Sequence, residues 1–256
     1  MKHRLLIILI LFALFLAGCD KEAADAPEML EGTVSPEDYP DFVQLGDYKD
    51  IVVEIPGQDE VTEADIKEQV DYALETSGES ELTQENVKTV SGYETIEEYK
   101  EAVKKNLEQM NQSAWDAQLM NKAWDAALSN ATLLKCPKDM YEKELAEVEA
   151  MYHSYTGMLG ISYEEVLERF NLTEEDIQKK ALDYVKSDMM VYAIAKAENI
   201  TVSDEEYSLE VKKRMKYYNV DTEQELADAL GEDTDLHFIF LADKIMEFVV
   251  DHAKTE

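Results

Sequence analysis

The sequence is poor in the residues that build β-rich or phosphate-binding proteins. Nine glycines and five prolines in 256 residues are too few for an all-β fold with many tight turns. They also leave no glycine-rich phosphate loop. Basic residues are scarce too: 24 Lys and Arg stand against 57 Asp and Glu, a net charge of −33. A chain of that charge repels phosphate backbones, which excludes sequence-independent nucleic-acid binding. Broad electrostatic adsorption to anionic lipid is disfavoured for the same reason. Only two cysteines and four histidines occur. No HExxH, paired-Cys spacing, GxSxG or dinucleotide fingerprint is present, so no catalytic constellation, metal site or cofactor is expected. Asp233 and Asp235 lack the glycine and distant Glu of a calcium loop. The remaining acidic runs read as solvated faces. What is abundant is apolar: 45% of residues, enough for a core.

One apolar run is long and lies at the start. Met1-Lys2-His3-Arg4 is a short basic segment, and Leu5 to Ala17 is apolar without interruption. Thirteen residues are short for a bilayer span. The run ends in Leu16-Ala17-Gly18-Cys19, which resembles the lipobox of bacterial lipoproteins. Residues 1–18 are therefore expected to be a signal peptide, and Cys19 the site of lipid attachment. Two or more acyl chains there would hold the protein stably at the outer face of the cell membrane. Cys136 is then the one free thiol, so no internal disulfide can form.

Residues 19–45 are polar and acidic with no periodicity, and read as a flexible tether. A strand-helix lead-in follows over 46–80. Tyr48 to Ile55 alternates, with Ile51, Val53 and Ile55 on one side. Thr62 caps a helix that Ser77-Gly78 breaks. Residues 81–256 read as helical throughout. Thr95-x-x-Glu98 opens a helix of about 35 residues, whose apolar steps of three and four from Ile96 to Leu128 predict a face buried along its length. Pro137 is expected at the first position of the next helix, where Tyr141, Leu145, Val148, Tyr152 and Tyr155 form a narrow seam. Ser162, Thr173 and Ser203 mark three further starts. Met189 to Ala195 is apolar all round and predicts the best-buried segment.

The candidate contact surface is apolar and polarisable. Nine of the eleven Met fall between positions 110 and 246, and there are 14 Tyr. Met side chains adapt to irregular partners, and Tyr offers large contact area at low entropic cost. Met158 and Leu159, between Gly157 and Gly160, have no local place to hide. They are expected to be exposed and to form a binding surface, with Tyr152, Tyr155, Tyr217 and Tyr218 as further candidates.

Tyr192 to Glu206 (YAIAKAENITVSDEE) and Lys216 to Leu226 (KYYNVDTEQEL) are similar to the C-terminal chaperone domain of bacterial trigger factor. Pro137-x-x-Met140-x-x-x-x-Leu145 resembles the start of its first arm. Glu81 to Tyr99 resembles the segment after its isomerase domain, and Tyr48 to Asp71 the strand and helix before it. Between Gly78 and Glu81 there is no room for the FKBP-type isomerase domain of about a hundred residues that the family carries. The ribosome-docking domain is replaced by the lipoprotein signal. The resemblance thus implies a mainly α, elongated, multi-helix fold with arms, of the trigger-factor C-terminal or SurA-like type, plus one short N-terminal strand. It implies a non-enzymatic, membrane-tethered, ATP-independent holdase for unfolded or exported polypeptides. A structural or adaptor lipoprotein docking one folded partner is the alternative.

Overall fold

In the computed structural model, residues 26–231 and 234–256 are described. The signal segment and Cys19 lie outside them. The described chain is mainly α, as expected. Its helices are α1 (Glu63–Ser77), α2 (Val87–Ser91), α3 (Ile96–Asn130), α4 (Lys138–Leu159), α5 (Tyr163–Arg169), α6 (Glu174–Glu198), α7 (Asp204–Tyr218), α8 (Glu223–Leu230) and α9 (Leu236–Asp251). Short strands β1 (Glu28–Leu30), β2 (Val43–Gln44), β3 (Val52–Val53), β4 (Thr132–Leu133) and β5 (Lys135–Pro137) accompany them.

Helix starts follow the sequence closely because a cap is a local device. Thr62 with Asp65, Ser162 with Glu165, Thr173 with Asp176 and Ser203 with Glu206 each form a reciprocal capping box. Thr95 and Glu98 make the same pair of bonds at 3.1 Å each. A further box, Thr222 with Glu225, opens α8 and was not anticipated. Pro137 is one residue earlier than expected: it ends β5 and serves as the N-cap of α4, at φ −62 and ψ 128.

Among the described residues the chain divides into two compact units, 26–53 with Lys122–Lys254, and Glu54–Asn121 with Thr255–Glu256. These borders differ from the expected divisions at 46 and 81. In the first unit α6 is the central element. Met189, Met190 and Ile194 are fully buried and Val191 nearly so. Against α6 pack α4, α9, β2 and the 3-10 helix Pro36–Asp41. Trp124 donates from its indole N–H to Ser187 Oγ at 3.0 Å. In the second unit Ile66, Val70, Leu74, Val87 and Tyr99 form the core.

Two expectations are corrected. Residues 26–45 are not a free tether. β1 pairs in parallel with β5, and β2 pairs antiparallel with β4. Tyr39 meets Tyr192 edge-on at 5.3 Å, and Val43 is buried. Backbone pairing to a distant strand leaves no periodic trace in so short a segment, so composition alone suggested a linker. Gly46 belongs to the same arrangement: a Cβ there would lie 2.1 Å from the Asn130 carbonyl oxygen. Only glycine allows that approach. The second correction concerns α3. Tyr99 and the Leu119–Leu128 end are buried, but Met110 is 60% exposed and Ala114 is exposed. Its apolar spacing is continuous, yet at mid-helix the contact is polar: Asn111, Gln112 and Trp115 bond to the 56–59 segment, and Met110 and Ala114 stay in water.

Candidate functional site

The end of α4 is built by one helix stopping and another starting. α4 continues through Gly157 to Leu159, and Gly160 caps it in the left-handed region at φ 67. The Gly160 amide donates to the Thr156 carbonyl at 2.9 Å. Ser162 then starts α5. Met158 on this last turn is 75% exposed, and Leu159 39%. Both were expected to be exposed, and both are. A third exposed apolar side chain, at the far end of α5, was missed by sequence reading: Phe170, 46% exposed, packs on the tyrosines of α4. Its ring centroid lies 5.1 Å from that of Tyr155 and 5.7 Å from that of Tyr152. The signal for Phe170 was weak, since it closes a seven-residue helix before Asn171 at φ 54. Nothing local shows which way such a ring turns.

Tyr152 does not line an open surface. It is buried with Val148, Val166, Leu167 and Ile177, and Tyr155 is half-buried against the same cluster. Tyr152 therefore supports the exposed residues from beneath. Burial raises the Tyr152 and Tyr163 hydroxyls above the usual tyrosine range. The Tyr163 hydroxyl is buried with no hydrogen-bond partner, and its ring stacks on His153 at 4.1 Å.

Tyr217 and Tyr218 belong elsewhere, at the end of α7. Tyr217 is 63% exposed. Tyr218 packs at the edge of the Val211, Leu226, Leu236 and Phe240 cluster, with its hydroxyl buried and unpartnered. The two rings meet edge to face at 5.3 Å. The six candidates thus fall on two separate clusters.

The other chemistry-bearing groups are buried or dispersed. Cys136 is fully buried, and burial pushes its thiol up to about 11, so it is not a nucleophile at neutral pH. Burial, with Glu144 nearby, pushes Asp188 up to about 7. Burial, with Asp183, pushes Asp125 up to about 6. Among the described residues no group of three or more His, Cys, Asp or Glu could hold a metal ion. No helix among them is long and apolar enough to cross a membrane. A shallow cavity of about 640 Å³ lies in the second unit, where Lys100, Lys104, Glu63, Glu97 and Glu101 share its lining. Its mixed charge contrasts with the apolar end of α4.

Fold and site together define a mainly α protein with large apolar side chains left exposed at helix ends. Residues 95–254 match the family described as bacterial trigger factor protein (TF) C-terminus. The chain belongs to that family. Trigger factor from Caldicellulosiruptor saccharolyticus is 28% identical over 181 residues, covering 68% of this chain and 41% of that protein. Trigger factor from Acetivibrio thermocellus is 28% identical over 180 residues, with the same coverage. Trigger factor from Syntrophomonas wolfei is 25% identical over 231 residues, 82% of this chain and half of that protein. The chain therefore spans half or less of the length of these relatives.

Proposed function

We propose that this protein is an ATP-independent holdase for unfolded or newly exported polypeptides, tethered to the outer face of a bacterial membrane by acyl chains on Cys19. The observation that carries the reading is the 75% exposure of Met158 next to Leu159, with Phe170 exposed at the end of the following helix. Monomeric proteins seldom leave two adjoining large apolar side chains in water without a binding role. Membership of the trigger factor C-terminal family supports the same direction. Burying Met158 and Leu159 against a client offers about 3–5 kcal/mol before ordering costs. That magnitude suits weak, reversible, multi-point holding. The net charge of −33 would keep loaded complexes soluble.

The test is suppression of aggregation of a chemically unfolded protein in the absence of nucleotide. Met158→Ser with Leu159→Ser should weaken suppression several-fold. Equal protection by parent and double mutant would move the binding surface to Tyr217 and Tyr218. Tethering is tested separately. Cys19→Ala should leave an uncleaved precursor without acyl label, and normal palmitate labelling of that mutant would sink the lipoprotein reading. The reading includes no prolyl isomerase activity. A protease-coupled peptide assay should show no rate above the uncatalysed reaction, whose barrier is roughly 18–20 kcal/mol.

A further inference from the structure

Because residues 28–44 pair into the fold, an anchored protein is held closer to the membrane than a free tether would hold it. Were residues 19–45 free, the folded part could stand about 90 Å from the lipid, at up to 3.6 Å per residue. The backbone is instead engaged from Glu28, whose amide donates to the Leu134 carbonyl at 3.0 Å. Nine residue steps separate Cys19 from Glu28, a reach of about 30 Å at most. The β1–β5 corner is thus the part of the described chain tied most closely to the acylated cysteine.

That corner carries what a bilayer contact needs. Met29 follows Glu28 and is 44% exposed. Leu134, whose carbonyl holds Glu28, is also 44% exposed. Lys135 pairs across from Glu28 in the ladder, and Lys138 bridges to Glu31 at 3.3 Å. Two bases stand here against three acids, Glu28, Glu31 and Asp139, whereas acids outnumber bases by more than two to one over the chain. An anionic headgroup layer therefore repels this corner less than it repels the rest of the surface. The client-binding end is remote from it: α4 begins directly after β5 and runs 22 residues to Leu159, about 33 Å at 1.5 Å per residue.

We propose that the corner formed by Met29, Leu134, Lys135 and Lys138 rests against the lipid bilayer, held there by the short link to Cys19. The proposal rests on the tethered reading above and adds a membrane-contact face to it. The occupant is lipid, because the covalent link delivers this corner to the headgroup layer whatever else the membrane contains.

The experiment is peroxide oxidation of Met29, read by peptide mass spectrometry. The acylated full-length protein is reconstituted in phosphatidylethanolamine–phosphatidylglycerol vesicles. It is compared with a variant carrying twenty Gly and Ser residues inserted after Ala24, equally acylated. Met158, about 30 Å away along α4, serves as internal reference. Met29 should oxidise several-fold more slowly in the parent than in the insert variant. Equal rates with Cys19 acylated overturn the contact while leaving the tether intact. Cys19 found unacylated by mass in the same digest overturns both. Protection in native membranes that is absent from pure lipid vesicles would make a membrane protein the occupant and overturn the assignment to lipid.

Discussion

The middle of α6 and the end of α4 use the same kind of residue for opposite ends. Met189, Met190 and Ile194 are fully buried, whereas Met158 is 75% exposed and Leu159 39%. Side-chain chemistry does not separate them; the surroundings do. α6 is covered by α4, α9 and the 3-10 helix Pro36–Asp41. The last turn of α4 runs out past its neighbours and stops at Gly160. An apolar side chain is core where several elements converge, and stays in water where a helix end lacks such cover.

The largest effect should come from the buried side of this contrast. Ile194→Ala removes a fully buried side chain and should cost about 3 kcal/mol, read as a lower denaturant midpoint with an unchanged slope. A loss below about 1 kcal/mol would mean that α6 is not the core.

Next comes Asp188, on the same helix. Its carboxyl is raised from 3.8 to about 7 by burial first and by Glu144 second. The folded protein therefore holds this proton more tightly than the unfolded chain. The associated stability is complete below about pH 4 and is lost as pH rises through about 7. Asp188→Asn should stabilise the protein by about 2 kcal/mol at pH 8, with the gain shrinking towards pH 4. Thermal melts of both proteins across pH 4–8 check it, and a pH-independent difference refutes it. Glu206 has the opposite sign. The Lys244 ammonium, with the Ser203 cap, lowers it to about 2, so its contribution exists above about 4.5 and disappears as pH falls towards 2.

At the end of α4 the expected changes are smaller. Gly160→Ala meets no heavy atom within 4 Å, so its cost of about 1 kcal/mol is the strain of φ 67 alone. Circular-dichroism melts give the number, and a neutral result would mean that the turn relaxes. Met158→Ser with Leu159→Ser should change stability by no more than about 0.5 kcal/mol, because exposed positions contribute little to folding. Loss of the cooperative transition in that mutant would erase the contrast, making the turn a packing element.

Much of this organisation was legible before any coordinates. The motif pairs Thr62/Asp65, Thr95/Glu98, Ser162/Glu165, Thr173/Asp176 and Ser203/Glu206 state their own geometry within four residues. The alternation of Ile51, Val53 and Ile55 survives as burial of all three, with Val52 exposed, although the strand itself spans only Val52–Val53. The Met189–Ala195 run announced a core because it has no polar face to offer water.

What escaped sequence reading was contact between distant segments. Tyr152 and Tyr155 share one seam on α4, yet Tyr152 sinks under α5 while Tyr155 meets Phe170 at its margin. The Glu28–Leu30 strand owes its existence to Lys135–Pro137, more than a hundred residues away.

The sequence alone determined the helix starts and stops, the mainly α class and the exposed turn at Met158-Leu159, because each depends on torsional preference and hydrogen bonds among near neighbours. Tertiary structure alone decided that residues 28–44 join the fold, that Met110 on α3 stays exposed and that Tyr152 is core, because burial depends on which distant surfaces arrive. Local bonding is written residue by residue; coverage exists only once the chain has closed on itself.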